Sequence, residues 1–378
     1  MEKTNLFICG DDKKRGLYIH IPFCKCKCAY CDFYSFCGDE KTKEDYTNAL
    51  IREIEKYKGF SIDTLYLGGG TPTLLGEKNL EKLLFKIKSH FGFISEAAME
   101  ANPGDNLEDI LKIAKQGGIN RLSLGVQSAI PTELDILGRR HSNLDVINAV
   151  KTAKNLGIDN ISLDLMIGIP EQTKETLKDS IEFLTSLNPN HISCYMLSLE
   201  EGTPLYKVQD KYNIPRDDEA SALWIYASEI LESKGYMQYE ISNFAKVGYE
   251  SKHNLKYWND EEYIGIGAAA HGFINGKRYS YENDAKKFTQ NPKISIYDIG
   301  GSAEEYLIMK LRLIYGINYN EFQKTFGEDA IPLISAMKNL GKKLEIEGYV
   351  KTNEENFSLT KKGFLVFNSI LSEILKDI

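Results

Sequence analysis

Three cysteines near the start of the chain have a spacing that suits metal chemistry. Cys24, Cys28 and Cys31 form a CxxxCxxC pattern within the run CKCKCAYC. Thiolates bind zinc as well as iron-sulfur clusters, and a structural zinc site takes four protein ligands. The sequence offers no second CxxC or HxxxH pair to complete a zinc site. Three cysteines on a 4Fe-4S cluster leave one iron open to a small ligand, so the pattern favours such a cluster over zinc.

The remaining cysteines carry less information. Cys26 lies inside the motif but outside its spacing, and we interpret it as a spare thiol. Cys9, Cys37 and Cys194 are interpreted as structural or incidental. Because all but one of the cysteines crowd into positions 9–37, they indicate metal or redox chemistry rather than a disulfide framework.

The elements that must position these thiols alternate between short apolar runs and amphipathic stretches of helical period. This alternation predicts repeated βα units around a parallel sheet, an α/β fold of the partial (β/α)6 barrel type. The six predicted strands are 17–21, 64–68, 97–101, 121–125, 161–168 and 191–197. In such barrels chemistry takes place at the carboxyl ends of the strands. The run GGGTPT at 68–73, Glu100, Gln127 and Asp164 fall at those ends, although residues of these types also serve in turns and caps.

The rest of the chain divides into two further predicted units. Residues 1–235 are assigned to the barrel, and 236–300 form a segment rich in aromatics and glycine whose periodicity reveals no regular element. In 301–378 two helices, two short strands and a final helix predict a smaller α+β domain of winged-helix type. We interpret this domain as a packing or lid domain rather than a DNA-binding one, because a net charge of -8 and the lack of a basic stripe disfavour nucleic acid as a partner.

The sequence also predicts where the protein resides. Residues 1–23 contain no apolar run of signal-peptide length, and nowhere do 18 apolar residues follow one another. We therefore expect a cytoplasmic protein.

The order of motifs along nearly the whole chain resembles one family. YIHIPFCKCKCAYCDF, GGGTPT, EANP, LSLGVQS, LGRRH and DLMIGIPEQT occur in this order. They are similar to the coproporphyrinogen dehydrogenase branch of the radical S-adenosylmethionine (SAM) superfamily. The resemblance implies a 4Fe-4S cluster on the three cysteines and a SAM molecule bound to it, from which an electron generates a 5'-deoxyadenosyl radical.

The resemblance also assigns residues to SAM. Three positions are implied to hold the SAM on the cluster: Tyr18, Gly70 and Glu100. Four match positions that contact a second SAM in the decarboxylase relatives, and whether one binds here is left open: Thr71, Gln127, Arg139 and Asp164. Tyr30 is expected either to stack on adenine or to serve as a core tyrosine.

Within this branch the chain most resembles the HemW proteins, which are heme chaperones. The decarboxylases carry a fourth cysteine two residues after the third ligand, where this chain has Phe33, and they have a longer N-terminal extension. The run HNLKYW matches the HNxxYW motif proposed to bind heme in HemW proteins, which implies heme contacts for His253, Tyr257 and Trp258. Without the resemblance, a structural histidine is the simpler interpretation of His253.

Two functions of different class follow. The favoured one is a heme chaperone that binds heme or a related porphyrin as cargo and passes it to an acceptor protein. Its expected partners are an electron donor for the cluster and, as the heme acceptor, a respiratory protein or its membrane. The alternative is an oxygen-independent coproporphyrinogen III oxidase, which decarboxylates its substrate through the deoxyadenosyl radical. A radical methyltransferase or another reaction on the same scaffold is a third option. The sequence leaves both a carrier and an enzyme that turns over a substrate as alternatives.

Overall fold

The computed structural model describes residues 6–9 and 11–376. The outer limits of the predicted terminal units, 1–5 and 377–378, lie outside the described residues, as does Gly10. None of the helices in the described part combines the length and the apolar character needed to cross a membrane.

Six parallel strands in sequence order form the centre of the molecule, as predicted. They are β1 (Lys14–Ile21), β2 (Ser61–Gly69), β3 (Glu96–Ala101), β4 (Arg121–Gln127), β5 (Asn160–Ile167) and β6 (His191–Met196). Period-two alternation explains them: in β1, Leu17, Ile19 and Ile21 are fully buried in the core while Tyr18 points to the other face. That other face of β2–β6 surrounds one cavity, so the sheet curves into the predicted partial barrel.

Helices follow the strands and cover the outside of the barrel. They are α1 (Glu40–Glu55), α2 (Glu77–Phe91), α3 (Glu108–Gln116), α4 (Pro131–Leu137), α5 (Asn143–Asn155), α6 (Lys174–Ser186), α7 (Pro204–Lys207) and α8 (Asp217–Ser233). Several begin where a polar side chain satisfies free backbone amides. Asp39 accepts from the amide of Thr42 at the start of α1, and Ser142 and Asp145 form a capping box at the start of α5.

Residues 236–300 extend the same sheet at both ends. The segment contains β7 (Met237–Gln238), β8 (Asn243–Ala245), α9 (Lys252–Trp258), β9 (Tyr263–Ile266), β10 (His271–Ile274), β11 (Lys277–Tyr281), α10 (Ala285–Gln290) and β12 (Ile294–Ile299). Strand β8 pairs with β6 and β9 pairs with β1, giving the order β12-β11-β10-β9-β1-β2-β3-β4-β5-β6-β8-β7. These strands are two to six residues long, too short for a periodicity to be visible in the sequence.

The C-terminal residues form the expected smaller α+β unit. It contains α11 (Ala303–Lys310), β13 (Ile317–Asn318), α12 (Tyr319–Phe326), α13 (Ala330–Ile346), β14 (Val350–Thr352), β15 (Asn356–Leu359), α14 (Lys361–Leu365) and α15 (Phe367–Leu375). The three strands form an antiparallel sheet in the order β13-β15-β14. The unit packs on the segment 236–258, where the amide of Ile314 donates to the carbonyl of Tyr239 at 3.2 Å.

Candidate functional site

The loop that carries the three motif cysteines lies at the carboxyl end of β1. Its backbone is tied to three separate parts of the chain: the amide of Cys24 donates to Phe36, the amide of Ala29 donates to Leu137, and the carbonyl of Ala29 accepts from the amide of Leu205. These bonds hold the loop at the barrel mouth, where the predicted cluster would sit.

One cavity of about 760 Å³ connects this loop with the barrel interior. All three motif cysteines line it, and so do seven of the eight residues expected to contact SAM: Tyr30, Gly70, Thr71, Glu100, Gln127, Arg139 and Asp164. Five of them lie at a strand end or in a loop directly after a strand, whereas Asp164 lies in the middle of β5 rather than at its end, and Arg139 follows α4. The fold therefore brings the sequence motifs to a single site. The eighth residue, Tyr18, is absent from the cavity wall; its hydroxyl bonds to Nδ1 of His20 at 2.9 Å, and its ring stacks on Tyr66.

Arg139 links the cysteine loop to the neighbouring strand ends. Its Nη1 donates to Sγ of Cys28 at 3.6 Å, and its Nη2 donates to Oδ1 of Asn102 at 2.8 Å and to the carbonyl of Gly125. Asn102 in turn donates to Oγ1 of Thr71 at 2.8 Å. A guanidinium held in this way places a fixed positive charge beside Sγ of Cys28 and within the cavity. Its Nε is buried and has no hydrogen-bond partner among the described residues.

Glu100 projects from β3 into the cavity and is held at both oxygens. The hydroxyl of Tyr66 donates to Oε1 at 2.8 Å, and the backbone amide of Gly69 donates to Oε2 at 3.1 Å. Removal from water raises the pKa of Glu100 to about 7, against the hydrogen bonds of Tyr66 and Gly69, which lower it. A carboxylate oriented in this way can accept bonds from an ammonium group or from ribose hydroxyls.

Two further polar positions complete the wall. Asp164 accepts a hydrogen bond from Ser123 at 3.1 Å, and burial raises the pKa of Asp164 to about 6. Gln127 accepts from the hydroxyl of Tyr195 at 2.7 Å. The φ of Gln127 is 71°, in the left-handed region that residues with side chains rarely adopt, and it lies where the pairing register between β4 and β5 shifts. Such local strain is typical of functional sites.

The glycine turn after β2 is needed for close backbone contact. The amide of Gly70 donates to the carbonyl of Ile21 at 2.8 Å, and a Cβ on Gly70 would lie 2.7 Å from the carbonyl oxygen of Phe23. Only glycine fits here. Since its amide is already bonded within the chain, Gly70 contributes to the cavity mainly by bringing the turn, with Thr71, against the cysteine loop.

Other residues were not predicted for this site but line its wall. They are Tyr66, Asn102, Ser123, His141, Ser193 and Tyr195. One signal in the sequence was available for some of them: Tyr66, Ser123, Ser193 and Tyr195 lie on predicted strands at even spacing from other residues of the inner face.

The histidine of the HNLKYW run is placed differently from the expectation of a heme ligand. His253 is completely buried, and its backbone amide bonds to Glu96 at the start of β3. Its Nδ1 lies 2.9 Å from Oγ1 of Thr64, and its Nε2 lies 2.8 Å from the hydroxyl of Tyr257. Burial lowers the pKa of His253 to about 3. With both nitrogens bonded and no exposed edge, this ring does not present a ligand atom to heme in the structure.

The two aromatic residues of the same run face different neighbours. The ring of Tyr257 contacts Tyr263 of β9, with centroids 4.6 Å apart. The ring of Trp258 lies under the guanidinium of Arg312, which also covers Phe367 of the C-terminal unit. The two rings therefore do not face one another across a common space in the structure. Trp258 therefore contributes to the packing of the segment 236–300 on the C-terminal unit.

The donor set of the cavity fits a 4Fe-4S cluster with a bound cosubstrate. Three thiols can hold the cluster, and the unpaired guanidinium nitrogen and two carboxyl groups can form hydrogen bonds with a polar cosubstrate. Among the described residues no three His, Cys, Asp or Glu side chains converge on a point that would hold a single metal ion. A cluster does not need this convergence, because each thiolate binds a different iron.

Comparisons with known proteins find related sequences and a related fold. A family model described as the Radical SAM superfamily matches residues 18–184, and one described as the HemN C-terminal domain matches 302–366. A heme chaperone HemW from Bacillus subtilis is 37% identical over 96% of this chain and 100% of the relative. The HemW of Lactococcus lactis is 32% identical over 97% of this chain and 98% of its own length. The structure of Escherichia coli coproporphyrinogen III oxidase (HemN), a radical SAM enzyme, superimposes with a TM-score of 0.86 over 100% of this chain and 94% of the other, at 20% identity.

Proposed function

Since the chain belongs to the radical SAM superfamily and within it to the HemW family of heme chaperones, we propose that it binds heme and passes it to an acceptor protein. The observation that carries the proposal is the match to HemW proteins over the full length of both chains. The similarity to coproporphyrinogen III oxidase, at 20% identity, extends to the fold alone. Phe33, where the decarboxylases have a cysteine, is 69% exposed beside the cavity and adds to the case against decarboxylation.

Membership of the superfamily implies a 4Fe-4S cluster and SAM, and we propose that Cys24, Cys28 and Cys31 hold the cluster. When bound, the two supply one-electron reduction of a sulfonium. Arg139 keeps a positive charge beside Cys28 and positions Thr71 through Asn102.

The carboxylates and tyrosines of the cavity are assigned to SAM in the same proposal. Tyr66 and the amide of Gly69 hold Glu100 in the orientation that accepts hydrogen bonds from the bound cosubstrate. Asp164, Gln127 and Tyr30 also line the cavity. Burial raises the pKa of Tyr30, so its phenol stays protonated and its ring is a neutral surface for adenine.

The proposal includes two protein partners and a location. A reductant delivers electrons to the cluster, and the heme acceptor is a respiratory protein at the membrane. The protein acts from the cytoplasm.

The test is a heme titration under anaerobic conditions. Protein with a reconstituted cluster is titrated with heme and, in parallel, with iron-free protoporphyrin IX, and the Soret difference spectrum is followed. The complex is then mixed with an apo heme protein. One heme per chain, weaker binding of the iron-free ring and transfer of the heme support the proposal. Equal binding of both rings, or none, would overturn it.

A further inference from the structure

A network of four hydrogen bonds joins two of the three motif cysteines through Asn102. Nη1 of Arg139 donates to Sγ of Cys28 at 3.6 Å, and Nη2 of the same guanidinium donates to Oδ1 of Asn102 at 2.8 Å. Nδ2 of Asn102 donates to Oγ1 of Thr71 at 2.8 Å, and this oxygen lies 3.8 Å from Sγ of Cys24. Asn102 is therefore the central member of the network, with one branch to each sulfur.

The direction of these bonds follows from the chemistry of the side chains. A guanidinium has donors only, so the amide of Asn102 turns its oxygen toward Arg139 and its NH2 group toward Thr71. Because the hydroxyl oxygen of Thr71 accepts from this NH2 group, the hydroxyl proton is free for another acceptor. The sulfur of Cys24 is an acceptor within reach. Asn102 thereby orients the hydroxyl of Thr71 as a donor to this sulfur.

The backbone position of Asn102 is set by a tight turn directly after β3. Pro103 restricts the residue before it to an extended backbone conformation. The amide of Asp105 donates to the carbonyl of Asn102 at 3.2 Å, which closes the turn. The same turn contacts the cysteine loop, because Asp105 forms an ion pair with Lys25 at 2.7 Å. The side chain of Asn102 therefore extends from a backbone that is fixed relative to that loop.

The network lies in the wall of the cavity rather than on the outer surface of the protein. Thr71, Asn102 and Arg139 all line the cavity, and Thr71 is only 2% exposed. In such a partly buried place a charge or a hydrogen-bond donor is screened less by solvent than at the surface. The guanidinium and the hydroxyl therefore act strongly on the two sulfurs.

We propose that Asn102 is a positioning residue that raises the reduction potential of the 4Fe-4S cluster. Hydrogen bonds to the sulfurs are among the factors that set this potential. Reduction adds an electron to the cluster, and a donor or a positive charge beside a ligand sulfur stabilises the added negative charge. The hydroxyl of Thr71 and the guanidinium of Arg139 make the potential less negative, and Asn102 holds both in place. The inference rests on the proposed cluster ligands and does not depend on heme.

Removing the amide of Asn102 acts on both branches. In Asn102→Ala the guanidinium of Arg139 can turn away from Cys28, and the hydroxyl of Thr71 is no longer directed at Cys24. We expect the equilibrium constant for reduction to fall about tenfold, the lower end of the 10- to 100-fold effect of such outer partners. For a one-electron couple a tenfold change is about 59 mV, so the midpoint potential should be about 59 mV more negative.

The experiment is an anaerobic redox titration of cluster-reconstituted protein without SAM, followed by electron paramagnetic resonance, with the iron content of each sample measured. It compares wild type, Asn102→Ala, Thr71→Val, Thr71→Ser and the matched control Asn120→Ala. Asn120 uses both amide atoms as well, since it accepts from the amide of Ala97 and donates to the carbonyl of Ser95. Its bonds reach no sulfur, so the control should keep the wild-type potential.

The two Thr71 variants isolate one branch of the network. Thr71→Ser keeps a hydroxyl and should keep the wild-type potential. Thr71→Val has the same shape without a hydroxyl, and it should shift the potential in the same direction as Asn102→Ala. Because the two changes act on one branch, the combined variant should shift the potential by less than the sum of the single shifts.

The iron content separates the outcomes. Asn102→Ala protein with full iron and the wild-type potential would overturn the proposal, and so would a shift of equal size in Asn120→Ala. If Asn102→Ala fails to hold the cluster, the Thr71 variants decide, and equal potentials of Thr71→Ser and Thr71→Val would overturn the proposal. A wild type that binds no iron removes the cluster assignment and the inference with it. A wild type that holds the cluster but binds no heme removes the proposed function alone.

Discussion

Replacing His253 with alanine tests whether this residue is structural. The change leaves the hydroxyls of Thr64 and Tyr257 without their partner in the barrel interior. Each unpaired buried hydroxyl costs about 1–3 kcal/mol, so we expect a loss of about 2–6 kcal/mol in the free energy of unfolding. At about 2.1 cal/mol/K per residue, the unfolding entropy of the 378-residue chain is about 0.8 kcal/mol/K, so the melting temperature should fall by about 3–8 °C.

The assay is thermal unfolding of cluster-free protein followed by far-ultraviolet circular dichroism. His271→Ala is the matched control, because an exposed side chain of this kind changes stability by no more than about 0.5 kcal/mol, here under about 1 °C. A His253→Ala protein with an unchanged melting temperature would contradict the structural role of His253. It would mean that the ring is not held by the two hydroxyls and is free to reach a ligand.

Three further predictions concern the cavity. Cys24→Ala should lose the 4Fe-4S absorbance and iron content after anaerobic reconstitution whereas Cys26→Ala keeps both; equal loss in the two would contradict the ligand assignment. Arg139→Lys should weaken SAM binding about tenfold in a calorimetric titration, because a lysine cannot contact Cys28 and Asn102 at the same time. A hydrogen bond to a charged group is worth about 1.5–3 kcal/mol. Unchanged affinity for SAM would count against this role of Arg139. Burial raises the pKa of Glu100 from 4.5 to about 7. Between these pH values the folded chain keeps a proton that the unfolded chain releases. The free energy of unfolding should therefore fall as pH rises from about 4.5 to about 7. Urea unfolding across this range should show a smaller pH slope for Glu100→Gln, and an identical slope would contradict the assignment.

The six central strands were predictable because each is a short, mostly buried apolar run followed by an amphipathic helix, which is the pattern of a parallel sheet. The strands within residues 236–300 could not be predicted in this way. They are short and take their pairing partners from β1 and β6, which lie far away in the sequence, so nothing local reports them.

The site was predictable where its residues end strands. Glu100 and Gln127 lie at the carboxyl ends of β3 and β4 and reach one cavity, because the carboxyl ends of parallel strands meet at one edge. Asp164 reaches the same cavity from the middle of β5, on the inner face of the sheet. Tyr66 was missed because it lies within a run of apolar residues, where a tyrosine reads as core.

The heme motif shows what residue types leave undetermined. A histidine followed by aromatic residues matches a heme motif in the sequence whether its imidazole is exposed to solvent or buried in the protein. His253 is buried through contacts with Thr64 on β2 and Glu96 on β3. These residues lie 189 and 157 positions earlier in the chain. Such long-range contacts depend on the assembled sheet and are not encoded in the local motif.

The central claim is that the chain carries heme rather than making its precursor. The most direct test is anaerobic incubation of cluster-reconstituted protein with SAM and a reductant, in one series with coproporphyrinogen III and in another with heme, with porphyrin products, 5'-deoxyadenosine and protein-bound heme measured together. We expect one bound heme per chain and coproporphyrinogen III left unchanged. Protoporphyrinogen IX formed over many turnovers would contradict it.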